Sequence, residues 1–376
     1  MSDGWPQGWS RDDPRGPQEE RTAVYPQGSY GADPYGGGAP PPGPSAGRVY
    51  GGGRSPRPRK RRWPKIVLTV IVIIIVLIAA LVIWLDFSLN RTSALVDYSG
   101  RPGDTPGTNW LLIGTDSRKG LSRSERDKLA TGRAAGQRTD TMMLLHIPEG
   151  SDKPTLVSLP RDSWVPIPGH DHNKLNAAFS LGGPQLLVKT IEGVSGIHLD
   201  HYMEINFAGF VDVVDAVGGV HMCVKQHLKD PKAGLNLKPG CHDLQGKDAL
   251  GYVRTRHFAN GDLERVKHQR QFVSALMSKA TSPGVLLNPF KSIPLAVSGT
   301  KAVTVDDGDH IWNMISLAQN LGGMSTGKLV TTSVPLGGFG TSPTAGSYII
   351  WQRQRALELF NALKNDQPVP SSALQK

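Results

Sequence analysis

The sequence predicts an α/β fold: a single exported domain with a central mixed β-sheet between helical layers, preceded by one transmembrane helix. Three observations carry it. One apolar run of about 20 residues holds no charge, the length a helix needs to cross a bilayer core. Beyond it, short strand-like apolar runs alternate with amphipathic helical ones. No repeat and no internal Pro/Gly linker divides that region, which favours one domain with a sheet between helices.

Residues 1–62 are rich in Gly, Pro, Ser, Arg and Tyr and include GGGAPPPGPSAG, with almost no branched aliphatics. No core can offset the entropy of ordering such a segment, so a disordered tail is expected. The transmembrane helix follows over 63–86, with Ile66–Leu85 free of charge and Trp63 and Trp84 near its edges. It starts too deep in the chain and is too long for a cleaved signal peptide. Arg54, Arg57, Arg59, Lys60, Arg61, Arg62 and Lys65 lie on its N-terminal flank, and Asp86 is the first charge on the other side. The positive-inside rule then makes the tail cytoplasmic and places everything beyond Asp86 outside the cell membrane, as an extracellular domain. A linker is expected over 87–107, the domain over 108–366, and a flexible C-terminus over 367–376.

The formal net charge is +10, with 11 Lys and Arg against 6 Asp and Glu up to Lys65. Topology accounts for the basic flank, and an exported domain meets no nucleic acid, so that partner class is set aside. Cys223 and Cys241 are the only cysteines, and an oxidising exterior predicts that they form a disulfide worth about 3 kcal/mol. Two free thiols are the alternative, and two cysteines without a second ligand pair do not make a zinc site.

In chain order, NWLLIGTD, TMMLLHIP and PTLVSLP read as three buried strands, each ended by Gly, Asp or Pro. KLNAAFSLGGPQLLVKTIEGVSG reads as two helices broken at Gly182-Gly183-Pro184. HYMEINFAGFVDVVDAVGGVHMCV reads as strand, helix and strand, the helix ending at Gly218-Gly219. GKDALGYVRTR and DLERVKHQRQFVSALMSKA are helical, the second with Asp262 as N-cap. GDHIWNMISLAQNLGG reads as helix, KLVTTSVPLGG as strand, and YIIWQRQRALELFNALKN as helix.

No GxSxG elbow, HExxH or P-loop is present. Charged residues instead gather at strand ends: Asp116 and Arg118 after the first strand, Arg138 and Asp140 before the second, and Arg161 and Asp162 after the third. Ligands of open α/β sheets bind beside strand ends, and acids there with arginines suit a metal plus an anion. Asp116, Asp140 and Asp162 capping turns is the alternative. Were Arg118, Arg138, Arg161, Arg254, Arg256 and Arg265 to converge, each pair at about 6 Å would repel by roughly 3 kcal/mol at an effective dielectric of 20, so a polyanion would be needed among them. His170, His172, His198 and His201 read as solvated or structural.

The blocks LLIGTDSR, RTDTMMLLHI, LVSLPRDSWVPIPG, KLNAAFSLGG, INFAGFVDVVDAVGGV, LQGKDALGYVRTR and DLERVKHQRQ, in this order, resemble the LytR-CpsA-Psr family of cell-wall ligases, over about 109–364. The Pro/Gly-rich tail is similar to that of actinobacterial members. The resemblance implies a phosphotransferase that moves a glycopolymer from a polyprenyl-pyrophosphate carrier to a peptidoglycan hydroxyl, with membrane lipid as a further partner. Simple pyrophosphate hydrolysis, and a membrane-tethered regulator, are the competing readings. The resemblance also implies roles. Asp116 and Asp140 match acids associated with Mg²⁺ (or Mn²⁺), and Arg118, Arg138 and Arg161 match arginines around the pyrophosphate. Arg254 and Arg256 match the YVRxR pair, Arg265 and Gln269 the DxxRxxRQ pattern, and Lys174 the KINAA block. Of these, Arg138, Arg161, Arg254, Arg256, Arg265 and Gln269 are expected to be catalytic.

Two departures stand out. His268 occupies a position where many members have Arg, and is left out of the site. The stretch between Asp116 and Asp140 is longer than in many members. Lys267 and Arg270 are expected in solvent, while PQLLVKTI and FVDVVDAV either line a channel for the polyprenyl chain or pack in the core.

Overall fold

The computed structural model describes residues 63–117, 139–255, 262–323 and 327–375, the side chains of 262–267 excepted. The expected tail, Arg118, Arg138 and Arg256 lie outside the described residues, as does the side chain of Arg265.

The first half of the domain begins with helix α1 (Trp63–Phe87), then strands β1 (Asn90–Thr92), β2 (Thr108–Thr115), β3 (Thr139–Ile147), β4 (Thr155–Leu159), β5 (Trp164–Pro166) and β6 (His172–Lys174). Helix α2 (Leu175–Ser195), β7 (His201–Asn206), α3 (Phe207–Ala216), β8 (Val220–Val224), β9 (Leu228–Asp230), β10 (Leu235–Leu237) and β11 (Gly240–Leu244) follow. The chain then forms α4 (Gly246–Arg254), α5 (Asp262–Ala280), α6 (Pro283–Leu286), α7 (Pro289–Ala302), β12 (Val303–Asp306) and α8 (Ile311–Gly322). It closes with β13 (Val330–Ser333), β14 (Leu336–Ser342), β15 (Gly346–Trp351) and α9 (Arg353–Lys364).

Seven strands form one mixed sheet in the order β1-β12-β7-β2-β3-β4-β13. β2 runs antiparallel to β3 and parallel to β7, so the C-terminal ends of β2 and β7 and the start of β3 meet at one edge of the sheet. The period-2 alternation of strand side chains sorts the apolar residues to two faces. Leu111 and Ile113 join a core with Leu187 of α2 and Leu359 of α9. Trp110 and Leu112 join another with Leu317 and Leu321 of α8. Each such fully buried Leu or Ile contributes about 1.5–3 kcal/mol. A third core joins α3, α4 and α5 to β8–β11, with Tyr252 and Phe272 inside it.

α1 is 25 residues long, exposed along its apolar length, and long and apolar enough to cross a membrane. α2 breaks as its sequence predicts: Gly183 takes φ 64°, ψ −156°, open to glycine alone, and Pro184 starts the second segment.

Three expectations need correction. Residues 87–107 are no mere linker: β1 pairs with β12, the Ala94 and Leu95 amides donate to Asp306 Oδ1 at 2.8 Å, and Tyr98 and Arg101 hold buried Glu192. Residues 367–375 pack on the domain: Ala373 is fully buried, and Arg355 Nη2 donates to the Leu374 carbonyl at 3.2 Å. YIIW is strand rather than helix, because its aromatic and β-branched residues pair as β15 with the Gly-rich β14, and α9 starts only after Gln352, whose side chain accepts from the Arg355 amide. The disulfide expected from the sequence is present, joining directly paired positions of β8 and β11.

Candidate active site

A cavity of about 560 Å³ lies on the α8 side of the sheet, where β2, β3 and β7 meet α3, α4 and α5. Register fixes its polarity. Thr115 and Asn206 are paired at the ends of β2 and β7, and Asp140 stands beside them at the start of β3; all three line the cavity. Three residues back along β2, Leu112 pairs with both Met143 and Met203, so about 10 Å from the polar end the walls are apolar. Met277, Leu276 and Leu321 close that part, and Asp230, Lys232, Arg254 and Gln269 also line the cavity.

The charged residues at the sheet edge are wired together. β4 ends at Pro160, and Arg161 turns back so that its Nη1 donates to Asp140 Oδ1 at 2.5 Å and its Nε to Asp162 Oδ2 at 3.3 Å. Lys174, the residue before α2, reaches Asp162 Oδ1 at 3.1 Å. The Arg161 carbonyl accepts from the Asn176 amide, which fixes this turn against the start of α2. Asp116 follows Thr115 directly and is half-buried at the same edge. Asp116 and Asp140, on neighbouring strand ends, carry the hard carboxylate oxygens that would hold a divalent cation, Asp140 Oδ1 being shared with Arg161.

Across the cavity, α4 ends at Arg254 and Thr255 is already extended at φ −62°, ψ 142°. The chain therefore leaves the helix at Thr255. The Arg254 guanidinium lies 4.9 Å from the Phe207 ring centre. Asp230 braces this turn, accepting from Thr255 Oγ1 at 2.8 Å and from the amides of Lys232 and Ala233. Gln269 Nε2 donates to the Val253 carbonyl at 2.8 Å, tying α5 to the last turn of α4.

A model of the LytR_cpsA_psr family matches residues 90–365. The chain belongs to this family. The Corynebacterium glutamicum relative named probable cell wall biosynthesis protein LcpB is 45% identical over 288 residues, 76% of this chain and 68% of that protein. The Bacillus subtilis protein named polyisoprenyl-teichoic acid--peptidoglycan teichoic acid transferase TagT is 29% identical over 338 residues, 83% of this chain and 98% of that protein. Among solved structures, TagT bound to LI-WTA superposes with a TM-score of 0.53 at 28% identity, over 74% of this chain and 96% of that one.

Within this LytR-CpsA-Psr domain the described site residues fall into two groups. Asp116, Asp140, Arg161 and Lys174 share the sheet edge, and Arg254 and Gln269 face them from α4 and α5. His268, left out of the site, shares a hydrogen bond of 2.8 Å between its Nδ1 and the Tyr252 hydroxyl, and burial pushes the Tyr252 phenol up to about 12. Arg270 is not solvated: it is half-buried, and desolvation lowers its pKa. PQLLVKTI lies in the core with Leu187 and Ile191, and from FVDVVDAV only Phe210 reaches the cavity. Asn206, Asp230 and Lys232 were not anticipated. DPKAG does read as a turn, and that is the one signal which could have pointed to Asp230.

Of the histidines set aside from the sequence, His198 and His201 are structural and His170 and His172 solvated, as expected. His201 Nδ1 bonds Asp309 beneath Trp110, His198 Nδ1 meets the Pro102 carbonyl, and His170 and His172 are exposed. Among the described residues one three-donor cluster exists, His221 with Cys223 and Cys241, and its sulfurs are joined in the disulfide.

Proposed function

We propose that this protein is a membrane-anchored phosphotransferase that attaches a glycopolymer from a polyprenyl-pyrophosphate carrier to a peptidoglycan hydroxyl during cell-wall assembly. One observation carries it: an apolar cavity lined at its polar side by Asp140 and Arg254, with Arg161 paired to Asp140 just behind. An isoprenoid tail needs the apolar part, and its pyrophosphate needs the charged end. The name of TagT points to the same class of chemistry, and that of LcpB to cell-wall biosynthesis.

In the proposed reaction the acceptor hydroxyl oxygen attacks the phosphorus that bears the glycan. The bond from that phosphorus to the bridging oxygen breaks, polyprenyl phosphate leaves, and the hydroxyl proton is lost to solvent or to a nearby carboxylate. Such transfer asks the protein chiefly for positioning and charge neutralisation. Arg161, Lys174 and Arg254 would supply cations to the phosphate oxygens, joined by Arg118, Arg138, Arg256 and Arg265. Asp116 and Asp140 would hold Mg²⁺ (or Mn²⁺). Bound there, the ion would offset charge on the pyrophosphate. Gln269 and Asp230 position Arg254 from behind. The anchor is α1, with the basic flank before it cytoplasmic and the domain outside.

The test is the full chain in detergent with Mg²⁺, a polyprenyl-pyrophosphate-linked glycan and peptidoglycan. Glycan joined to peptidoglycan through a phosphodiester is the expected product. Release of free glycan phosphate alone would establish the hydrolase reading instead, and no turnover of any donor by a folded, lipid-binding protein would overturn both.

A further inference from the structure

One exposed surface has no part in the site. α6, α7 and the first half of α8 present Leu286, Leu287, Phe290, Ile293, Trp312 and Ile315 to the outside, Leu287 at 83% and Phe290 at 88% exposure. Residues 280–305 contain Lys291 and Lys301 but no acid, and residues 311–323 carry no charge. The acids between these two stretches are engaged elsewhere, Asp306 by the Ala94 amide, Asp307 by Ser93 Oγ and Asp309 by His201, so the apolar surface edged by lysines suits an anionic bilayer surface.

Its position points the same way. α1 ends beside it: Asp86 accepts from the Ile311 amide at 2.8 Å and meets His310 Nδ1 at 3.1 Å, so α8 starts where α1 stops. The His310 ring stacks on Trp312 at 4.3 Å, setting an aromatic beside the end of α1. Asn90 Nδ2 donates to the carbonyls of Lys301 and Val303, fastening the end of α7 to the same junction. α8, which carries Trp312, also gives Leu321 to the apolar part of the cavity.

We infer that α6, α7 and the start of α8 form a seat on the outer leaflet of the membrane. Leu286, Leu287 and Phe290 enter the boundary between headgroups and acyl chains, Trp312 lies at headgroup level, and Lys291 and Lys301 meet anionic headgroups. The seat holds the domain in one orientation, with the start of α8, whose far end gives Leu321 to the apolar cavity wall, next to the lipid. A polyprenyl chain then passes from leaflet to cavity without exposure to water. This rests on the proposed crossing of the bilayer by α1.

The experiment uses the full chain, disulfide intact, reconstituted in phosphatidylcholine–phosphatidylglycerol vesicles, with a fluorophore on a Phe290→Cys variant and, separately, on Phe339→Cys. Phe339 is also exposed, on the separate β14–β15 hairpin, which is tied to the chain just past β4 by the Ile349 amide on the Asp162 carbonyl. Lipids bearing a nitroxide near the headgroup should quench the 290 label several-fold more than the 339 label. Equal quenching in a protein that resists alkaline carbonate would overturn the seat alone. Extraction by carbonate would overturn the crossing and the seat together. A 290 label shielded from both lipid and water-soluble quenchers would mean that a protein covers the patch, and would also overturn it. As a second arm, Leu287→Gln/Phe290→Gln should slow transfer from vesicle-borne donor several-fold while leaving transfer from detergent-dispersed donor unchanged; an equal loss with both donors would count against the seat.

Discussion

Arg254 ends α4, leans on the Phe207 ring, and has its following residue pinned by Asp230. A guanidinium held that firmly is preorganised for charge that develops in a transition state, so Arg254→Ala should lower kcat/KM by about 10²–10³-fold while the thermal midpoint barely moves. Arg254→Lys should recover only part of this, since a point charge cannot replace the two-pronged fork. A large loss of stability in the alanine variant would instead make Arg254 structural. Tyr252, on the same helix, offers a pH test. Its folded pKa is raised from the ordinary value near 10 to about 12, so its contribution to stability is complete below about pH 10 and is lost as pH rises towards 12. Urea midpoints should therefore fall more steeply over that window in the wild type than in Tyr252→Phe, and parallel curves would refute the assignment. At this scale the sequence shows what is local. Asp140, Arg161 and Arg254 are visible because each adjoins the end of an apolar run. The grip of Gln269 on the Val253 carbonyl depends on how α4 meets α5, and no residue spacing specifies that.

Elements are legible when their own pattern decides them and obscure when a partner does. α2 broke at Gly182-Gly183-Pro184 as expected, since only local backbone freedom is involved. YIIW was misread because, with QRQRALELF behind it, it continues a helical pattern; its strand identity comes from pairing with β14, where Gly340 leaves room for the Tyr348 ring. β1 was missed for a similar reason: three residues gain their sheet identity from β12, more than 200 positions away. The contact between α3 and α7 also depends on one residue. A Cβ at Gly209 would lie 2.3 Å from the Ala302 carbonyl oxygen, a backbone atom that cannot swing aside. Gly209→Ala should thus cost about 1–3 kcal/mol through overpacking, read as a lowered unfolding midpoint. An unchanged midpoint would show that the two helices separate freely. Since Phe207 and Phe210 line the cavity from α3, the variant should also weaken donor binding.

On the scale of the whole molecule, the site straddles two bodies of packing. Strand ends of the large sheet carry Asp116, Asp140 and Arg161, with Lys174 of the β5–β6 pair beside them on Asp162, while the core of α3, α4, α5 and the β8–β11 ribbons carries Arg254 and Gln269. Catalysis would require both to be held in one geometry, because a misplacement of about 1 Å can cost a factor of 10². The Cys223–Cys241 disulfide acts within the second body alone. It closes a loop of sequence separation 18 on the exposed face of the β8–β11 ribbon, for about 3 kcal/mol on the chain-entropy estimate, while Val220, Met222 and Leu244 of that ribbon pack inwards beneath α5. Cys223→Ser/Cys241→Ser should then raise amide exchange in β8, β11 and α4 and leave β2, β3 and β4 as protected as before. For the lipid-linked donor kcat should fall more than KM rises, because Arg254 remains present but is less well placed for charge that develops in the transition state. Equal loss of protection in both bodies would show that the domain opens as one unit, and the disulfide would then serve global stability rather than the placement of Arg254.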